Sequence, residues 1–166
     1  KYATGVDWGK QRDFTVIVTY RMDVSPWWLV AFERTKELPW DVLIEKARER
    51  VRRYPGKVSH DKTGIGDVAH DFLGVDGANG ITLNGNRRVT LFNQYLLAIE
   101  RGDLLAPRIE SMRYDHFFVT NKDLFHGGHP PDSVIAGAMA WACRNSVYDV
   151  SIAPVGLAGE SILAGL

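Results

Sequence analysis

Three aspartates in this chain stand where a strand should end or a helix should begin, and together they have the makings of a metal site. Asp7 closes an apolar run in Gly5-Val6-Asp7-Trp8-Gly9, Asp61 stands in His60-Asp61-Lys62-Thr63-Gly64-Ile65-Gly66, and Asp132 opens the segment Pro131-Asp132-Ser133-Val134-Ile135-Ala136. Two Mg²⁺ or Mn²⁺ ions about 3.5–4 Å apart need several hard oxygen ligands, one of them able to bridge. In that reading Asp7 bridges, Asp61 binds one ion and Asp132 the other. One ion then activates a water, and the second stabilises the leaving oxygen of an in-line displacement at phosphorus. Without cations, three acids this close repel and raise at least one pKa, so the cluster suits metal binding better than stability. Taken singly, each acid also reads as a turn residue, and Asp132 as a helix N-cap after Pro130-Pro131. Asp13 is a further candidate metal ligand, direct or supporting, although starting a strand explains it equally well.

Other patterns carry less chemistry. Gly64-Ile65-Gly66 at a helix start can present backbone N–H groups to a phosphate, or serve as a plain tight turn. Gly74, Gly77 and Gly80 lack the spacing and the strand-to-helix setting of a dinucleotide fingerprint, and Gly5 to Lys10 lacks that of a P-loop. His126 and His129 have no cysteines nearby and read as a polar loop rather than structural zinc. Arg48, Arg50, Arg52, Arg53, Lys57, Arg87 and Arg88 could meet phosphates, but interleaved glutamates favour a solvated helix face. Trp27 and Trp28 read as one inward and one outward residue of a strand. Cys143 lies at the end of an apolar run and reads as a small buried hydrophobe rather than a nucleophile.

The elements that must position the acids follow from periodicity. Residues 3–7, 13–21 and 26–34 are β-branched and aromatic runs that predict a three-strand antiparallel meander. From Trp40 the spacing turns helical, with Leu43, Ala47 and Val51 on one stripe, until Pro55-Gly56 stops it; a short strand to Asp61 follows. A brief helix over 64–73, a glycine-rich loop over 74–80 and a small strand over 81–83 come next. The strongest helix runs from Asn84 to Arg101, ended by Gly102. Then come an extended piece over 104–107, a helix near 108–116, a hairpin near 117–125, a helix over 132–145 and a closing strand or tail over 148–166. Strands first and then alternating helices and short strands predict an α/β mixed sheet covered by helices.

The totals bound the class. With 166 residues, 45% of them hydrophobic, the chain fits one domain that needs no disulfides. Lysine plus arginine equals aspartate plus glutamate at 20 each, unlike a free-standing module with a strongly basic nucleic-acid footprint. No apolar stretch has transmembrane length and no secretory leader is evident, so the chain reads as cytosolic. It begins at Lys1 directly on a strand, as a domain taken from a longer polypeptide would.

Across residues 3–145 the order of these motifs resembles the nuclease domain of the large terminase subunit of tailed bacteriophages, a ribonuclease H-like fold. That family carries a first-strand Asp in a G-x-D-x-G context, an Asp followed by T-G-x-G, and an Asp opening a helix of small residues, which fall here on Asp7, Asp61 and Asp132. The stretch from Leu91 to Pro107 resembles the family's helix-turn-strand before the last acid. In the third motif His129-Pro130-Pro131-Asp132 replaces the usual paired acids, so the first of that pair is absent. The resemblance implies a metal-dependent endonuclease that cuts concatemeric double-stranded DNA when packaging starts and ends. It also implies two Mg²⁺ or Mn²⁺ ions, a packaging ATPase in the same chain, a portal and a small terminase subunit as partners, and the host cytoplasm as location. A near-neutral nuclease tethered to a motor that already holds DNA needs little affinity of its own.

Three rival readings share parts of this pattern. Actin-like and sugar-kinase ATPases also open on G-x-D-x-G, but their duplicated domains need more chain than this. Resolvases and transposases share the acidic cluster and differ in substrate. A non-catalytic docking domain for portal or capsid would keep the fold without needing the acids.

Overall fold

The computed structural model describes residues 1–9, 13–63, 73–76, 78–145 and 151–152. Strands β1 (Tyr2–Asp7), β2 (Phe14–Arg21) and β3 (Trp27–Lys36) form the predicted antiparallel meander. Helix α1 (Trp40–Arg53) then crosses over to β4 (Gly56–Asp61), which lies parallel to β1 on the side away from β2. Strand β5 (Val75–Asp76) falls within the stretch expected to be a loop; β6 (Asn79–Ile81) begins there and ends at the expected start of the small strand over 81–83, and it pairs in parallel with β4. Helix α2 (Gly85–Glu100) leads to β7 (Leu104–Leu105), parallel to β3, and completes a six-stranded sheet of order β6-β4-β1-β2-β3-β7.

Helices α3 (Glu110–Phe118), α4 (Asn121–Phe125) and α5 (Asp132–Ala142) follow, with a 3₁₀ turn over Cys143–Asn145. The hairpin expected near 117–125 is therefore a helical pair. Phe117 and Phe118 close α3, Val119 is extended, and Thr120 then caps α4 by accepting from the Asp123 N–H while Asp123 accepts from the Thr120 N–H. Of the closing segment, strand β8 (Ser151–Ile152) pairs antiparallel with β5. The helix expected over 64–73 and the Gly64-Ile65-Gly66 turn lie outside the described residues. The result is the mixed sheet with helices on both faces expected of a ribonuclease H-like fold.

Alternation along β2 sorts the core. Ile17 joins Val6, Trp8 and Val58 under the Leu43, Ala47 and Val51 stripe of α1. Val16, Val18 and Tyr20 face the other way, onto Ala136 and Ala140 of α5 and Met112 of α3. Every residue of α5 from Ser133 to Ala140 is buried, which is why its sequence is apolar all round. Trp27 packs edge-on against Trp141 at 4.8 Å while Trp28 stays 57% exposed, one in and one out as expected.

Three basic residues of α1 are structural rather than a solvated face. Glu33 of β3 receives Lys46 at 2.7 Å and Arg50 at 3.0 Å, and Arg48 donates to the Leu73 carbonyl at 2.8 Å. Cys143 is fully buried beside Ser59, and burial pushes its thiol up to about 11. A maleimide or disulfide reagent should therefore leave the native protein unlabelled for hours and label it fully in denaturant. Rapid labelling of the folded protein would contradict this packing. Among the described residues no helix is long and apolar enough to cross a membrane.

Candidate active site

The topology brings the three aspartates to one edge of the sheet. Val6 is in register with His60, so Asp7 and Asp61 follow side by side at the C-terminal ends of two parallel strands, where open α/β sheets commonly bind ligands. Helix α5 reaches the same edge because Gly5 lets it lie directly on β1. A Cβ at residue 5 would sit 2.0 Å from the Ala136 carbonyl and 2.3 Å from the Ala140 nitrogen. The N-terminus of α5 thus delivers Asp132 to the strand ends.

Asp7, Asp13, Asp61 and Asp132 line one cleft of about 360 Å³, together with Trp8, Thr63, Leu83, Arg88, His129, Pro130 and Ile135. Asp7 is buried, at 5% exposure, and among the described residues no hydrogen-bond donor meets its carboxylate. Burial pushes its carboxyl well above the usual carboxylate range, and the charges of Asp132, Asp61 and Asp13 push it further. Asp61 accepts from the Thr63 N–H at 2.8 Å, so its turn role and its place at the cleft coexist.

Asp132 is the first residue of α5 rather than its cap, which is Pro131. Its Oδ2 accepts from the Phe14 N–H at 3.3 Å, bridging the helix to the start of β2. Burial raises its pKa, opposed by that hydrogen bond and by the charge of His129, whose Nε2 lies 4.0 Å from Oδ1. Behind it, Ser133 donates to Asp115 at 2.8 Å, and Asp115 faces Arg34 at 3.6 Å, whose guanidinium stacks 4.0 Å above the Phe14 ring.

Trp8 and His60 lock the ends of β1 and β4 together. The indole Nε1–H donates to His60 Nδ1 at 3.1 Å. The indole only donates, so Nδ1 accepts from it, and the same nitrogen lies 3.3 Å from the Asp61 carbonyl. Arg88 is the other fastener: its Nε donates to the Leu124 carbonyl at 2.8 Å, and its Nη2 to the carbonyls of Gly128, at 2.6 Å, and Asp123. Sequence reasoning placed Arg88 on a solvated face and His129 in a plain loop; both line the cleft. Arg34, Asp115 and Ser133 carried no motif at all.

Among the described residues no three acids, imidazoles or thiols close around a single point, so the carboxylates line the walls rather than complete a cage. The donor set itself fits a hard divalent cation. It offers carboxylate oxygens only from the strand and helix ends, and a buried acid whose charge no described donor balances.

No protein-family model matches the sequence, and no curated protein matches it significantly. The fold does match solved structures. The large terminase nuclease of thermophilic phage G20c with bound zinc superposes with a TM-score of 0.71 at 20% identity, over 85% of this chain and 80% of that one. The same enzyme with bound magnesium gives 0.69 at 20% identity over the same shares. The large terminase nuclease domain of Thermus phage P74-26 gives 0.66 at 18% identity, over 85% of this chain and 78% of that one. This chain has the fold of a large terminase nuclease. The terminase-nuclease resemblance read from the motifs is thus met by a terminase-nuclease fold over 85% of this chain.

Proposed function

We propose that this chain is a metal-dependent endonuclease domain that cuts concatemeric double-stranded viral DNA at the start and end of genome packaging. The observation that carries the proposal is the convergence of Asp7, Asp61 and Asp132 on one cleft of a terminase-nuclease fold, with Asp7 buried and its charge unbalanced. Solved neighbours that carry zinc, magnesium or cobalt support a divalent cation for this fold.

In this reading Asp7, Asp61 and Asp132 hold two Mg²⁺ or Mn²⁺ ions, with Asp7 shared and Asp13 in support. Such ions, when bound, supply an activated water and charge stabilisation for phosphodiester hydrolysis. The chain's own residues supply position. Trp8 and His60 fix the strand ends that carry Asp7 and Asp61, the Phe14 N–H holds the Asp132 carboxylate, and the dipole of α5 favours negative charge at its first turn. The domain then belongs to a terminase whose packaging ATPase, portal and small subunit bring the DNA to it, within the infected cell.

Supercoiled plasmid incubated with the protein and Mn²⁺ or Mg²⁺ should be nicked and linearised, and EDTA should stop it. Asp61→Asn and Asp132→Asn should each lower the rate by about 10²-fold or more. Cleavage that survives EDTA, or an Asp132→Asn variant as active as the parent, would sink the proposal.

A further inference from the structure

One cation of the cleft has a donor to spare. Arg88, on the first turns of α2, spends Nε and Nη2 on three carbonyls of the segment that runs from α4 into His129-Pro130-Pro131-Asp132. Those bonds hold the guanidinium in one orientation, and the segment offers little slack. A Cβ at Gly128 would meet the Asp123 Cα at 2.6 Å. Nη1, by contrast, makes no hydrogen bond among the described residues, while Arg88 lines the same cleft as the four aspartates. A guanidinium keeps its charge at any working pH and has five N–H donors in a fixed fork. Three carbonyl bonds therefore leave donors and a full positive charge on a residue that lines the cleft with the four aspartates.

We propose that Arg88 binds a non-bridging oxygen of the substrate's phosphodiester through Nη1, while Nε and Nη2 hold the loop that delivers Asp132. The assignment rests on the phosphodiester substrate of the reading above. An arginine already immobilised by the protein loses little entropy when it takes an anion, and its planar fork suits phosphate better than a lysine would. It lines the same cleft as the acids, so the oxygen it takes belongs to the phosphodiester seated in that cleft rather than to a distant track. Arg87, its exposed neighbour, is absent from the residues that line the cleft.

The test is binding of a duplex oligonucleotide by fluorescence anisotropy, with Ca²⁺ present to neutralise the carboxylates, for the parent protein, Arg88→Gln and Arg88→Lys across a range of salt. Each lost phosphate contact lowers the slope of log K against log salt by about 0.9. Arg88→Gln should lose about that much slope and bind roughly 5–10-fold more weakly at low salt. Arg88→Lys keeps the charge and should keep the slope, even though both variants lose loop bonds and melt at similar, lower temperatures. An unchanged slope in Arg88→Gln overturns the assignment, as does a slope that falls equally in both variants, or a parent protein that binds no duplex. Should Arg88→Gln not fold, ¹⁵N spectra of the parent decide: the Arg88 guanidinium resonances should shift on adding duplex, and static resonances would refute the contact. A parent that binds with the expected slope yet cuts nothing in Mn²⁺ would sink the nuclease reading while leaving Arg88 a phosphate ligand.

Discussion

Asp7→Asn should abolish metal-dependent cleavage, by about 10³-fold or more, and at the same time make the metal-free protein more stable. The two effects have one cause. Burial and the charges of Asp132, Asp61 and Asp13 raise the Asp7 pKa in the folded protein above its unfolded value. The folded state then holds the Asp7 proton more tightly than the unfolded state does. Its contribution to stability is present below the ordinary carboxylate pKa and is lost as pH rises through the raised one. A buried carboxyl held among three other acids is a cost that asparagine removes while keeping the shape. Relief of about 1–2 kcal/mol would raise the thermal midpoint of a domain this size by roughly 2–8 °C. A saturating divalent cation should stabilise the parent and leave the variant unmoved. A fall in the metal-free midpoint of Asp7→Asn, read by scanning calorimetry in EDTA, would mean that Asp7 is a structural acid.

Gly5→Ala should be strongly destabilising for the addition of a single methyl group. The added carbon would collide with backbone atoms of α5 at 2.0 and 2.3 Å, and backbone cannot swing aside as a side-chain tip can. Helix α5 would have to lift off β1, opening contacts that Ala136 and Ala140 now make with Val16 and Val18. Its other face is also closely packed, since a Cβ at Gly137 would meet the Tyr95 hydroxyl at 2.1 Å. A cost of about 3 kcal/mol follows, or a midpoint lower by roughly 6–12 °C. The lift would also carry Asp132 away from Asp7, so cleavage below the new midpoint should fall as well. A variant that melts within a degree of the parent would show that α5 does not need this approach.

Glycine 5 also shows what was legible in the sequence. The motif Gly5-Val6-Asp7 announces a strand with an acid at its end, and the β-branched runs after it predict the meander and its order. What it does not announce is that the glycine serves the last helix, some 130 residues later, because close approach between distant elements leaves no local pattern. Asp61 and Asp132 were legible for the same reason as Asp7: an acid beside a strand end or a helix start has a reading of its own. Their convergence depends on β4 adding beside β1 instead of β3, which only the topology reveals.

The misses share a physical origin. Phe117-Phe118-Val119 has strand propensity, yet Phe117 and Phe118 are the last residues of α3, and a capping box at Thr120 and Asp123 makes the next segment a helix rather than a return strand. That signal was present in the sequence as Thr-x-x-Asp, weaker than the usual box because the acid is short. Arg88 and Arg34 look like any surface arginine until the carbonyls and the ring they meet are in place. Asp115 and Ser133 act through each other across two helices, so neither carries a motif. The basic stripe of α1 looked solvated because glutamates alternate with it, whereas Glu33 of the neighbouring strand claims Lys46 and Arg50.

The measurement that bears most directly on the central claim is anomalous diffraction from crystals soaked in Mn²⁺. Two peaks about 3.5–4 Å apart are expected, within bonding distance of Asp7, Asp61 and Asp132 and with Asp7 touching both. No peak at Asp7 under saturating Mn²⁺, or manganese bound only elsewhere on the surface, would contradict it.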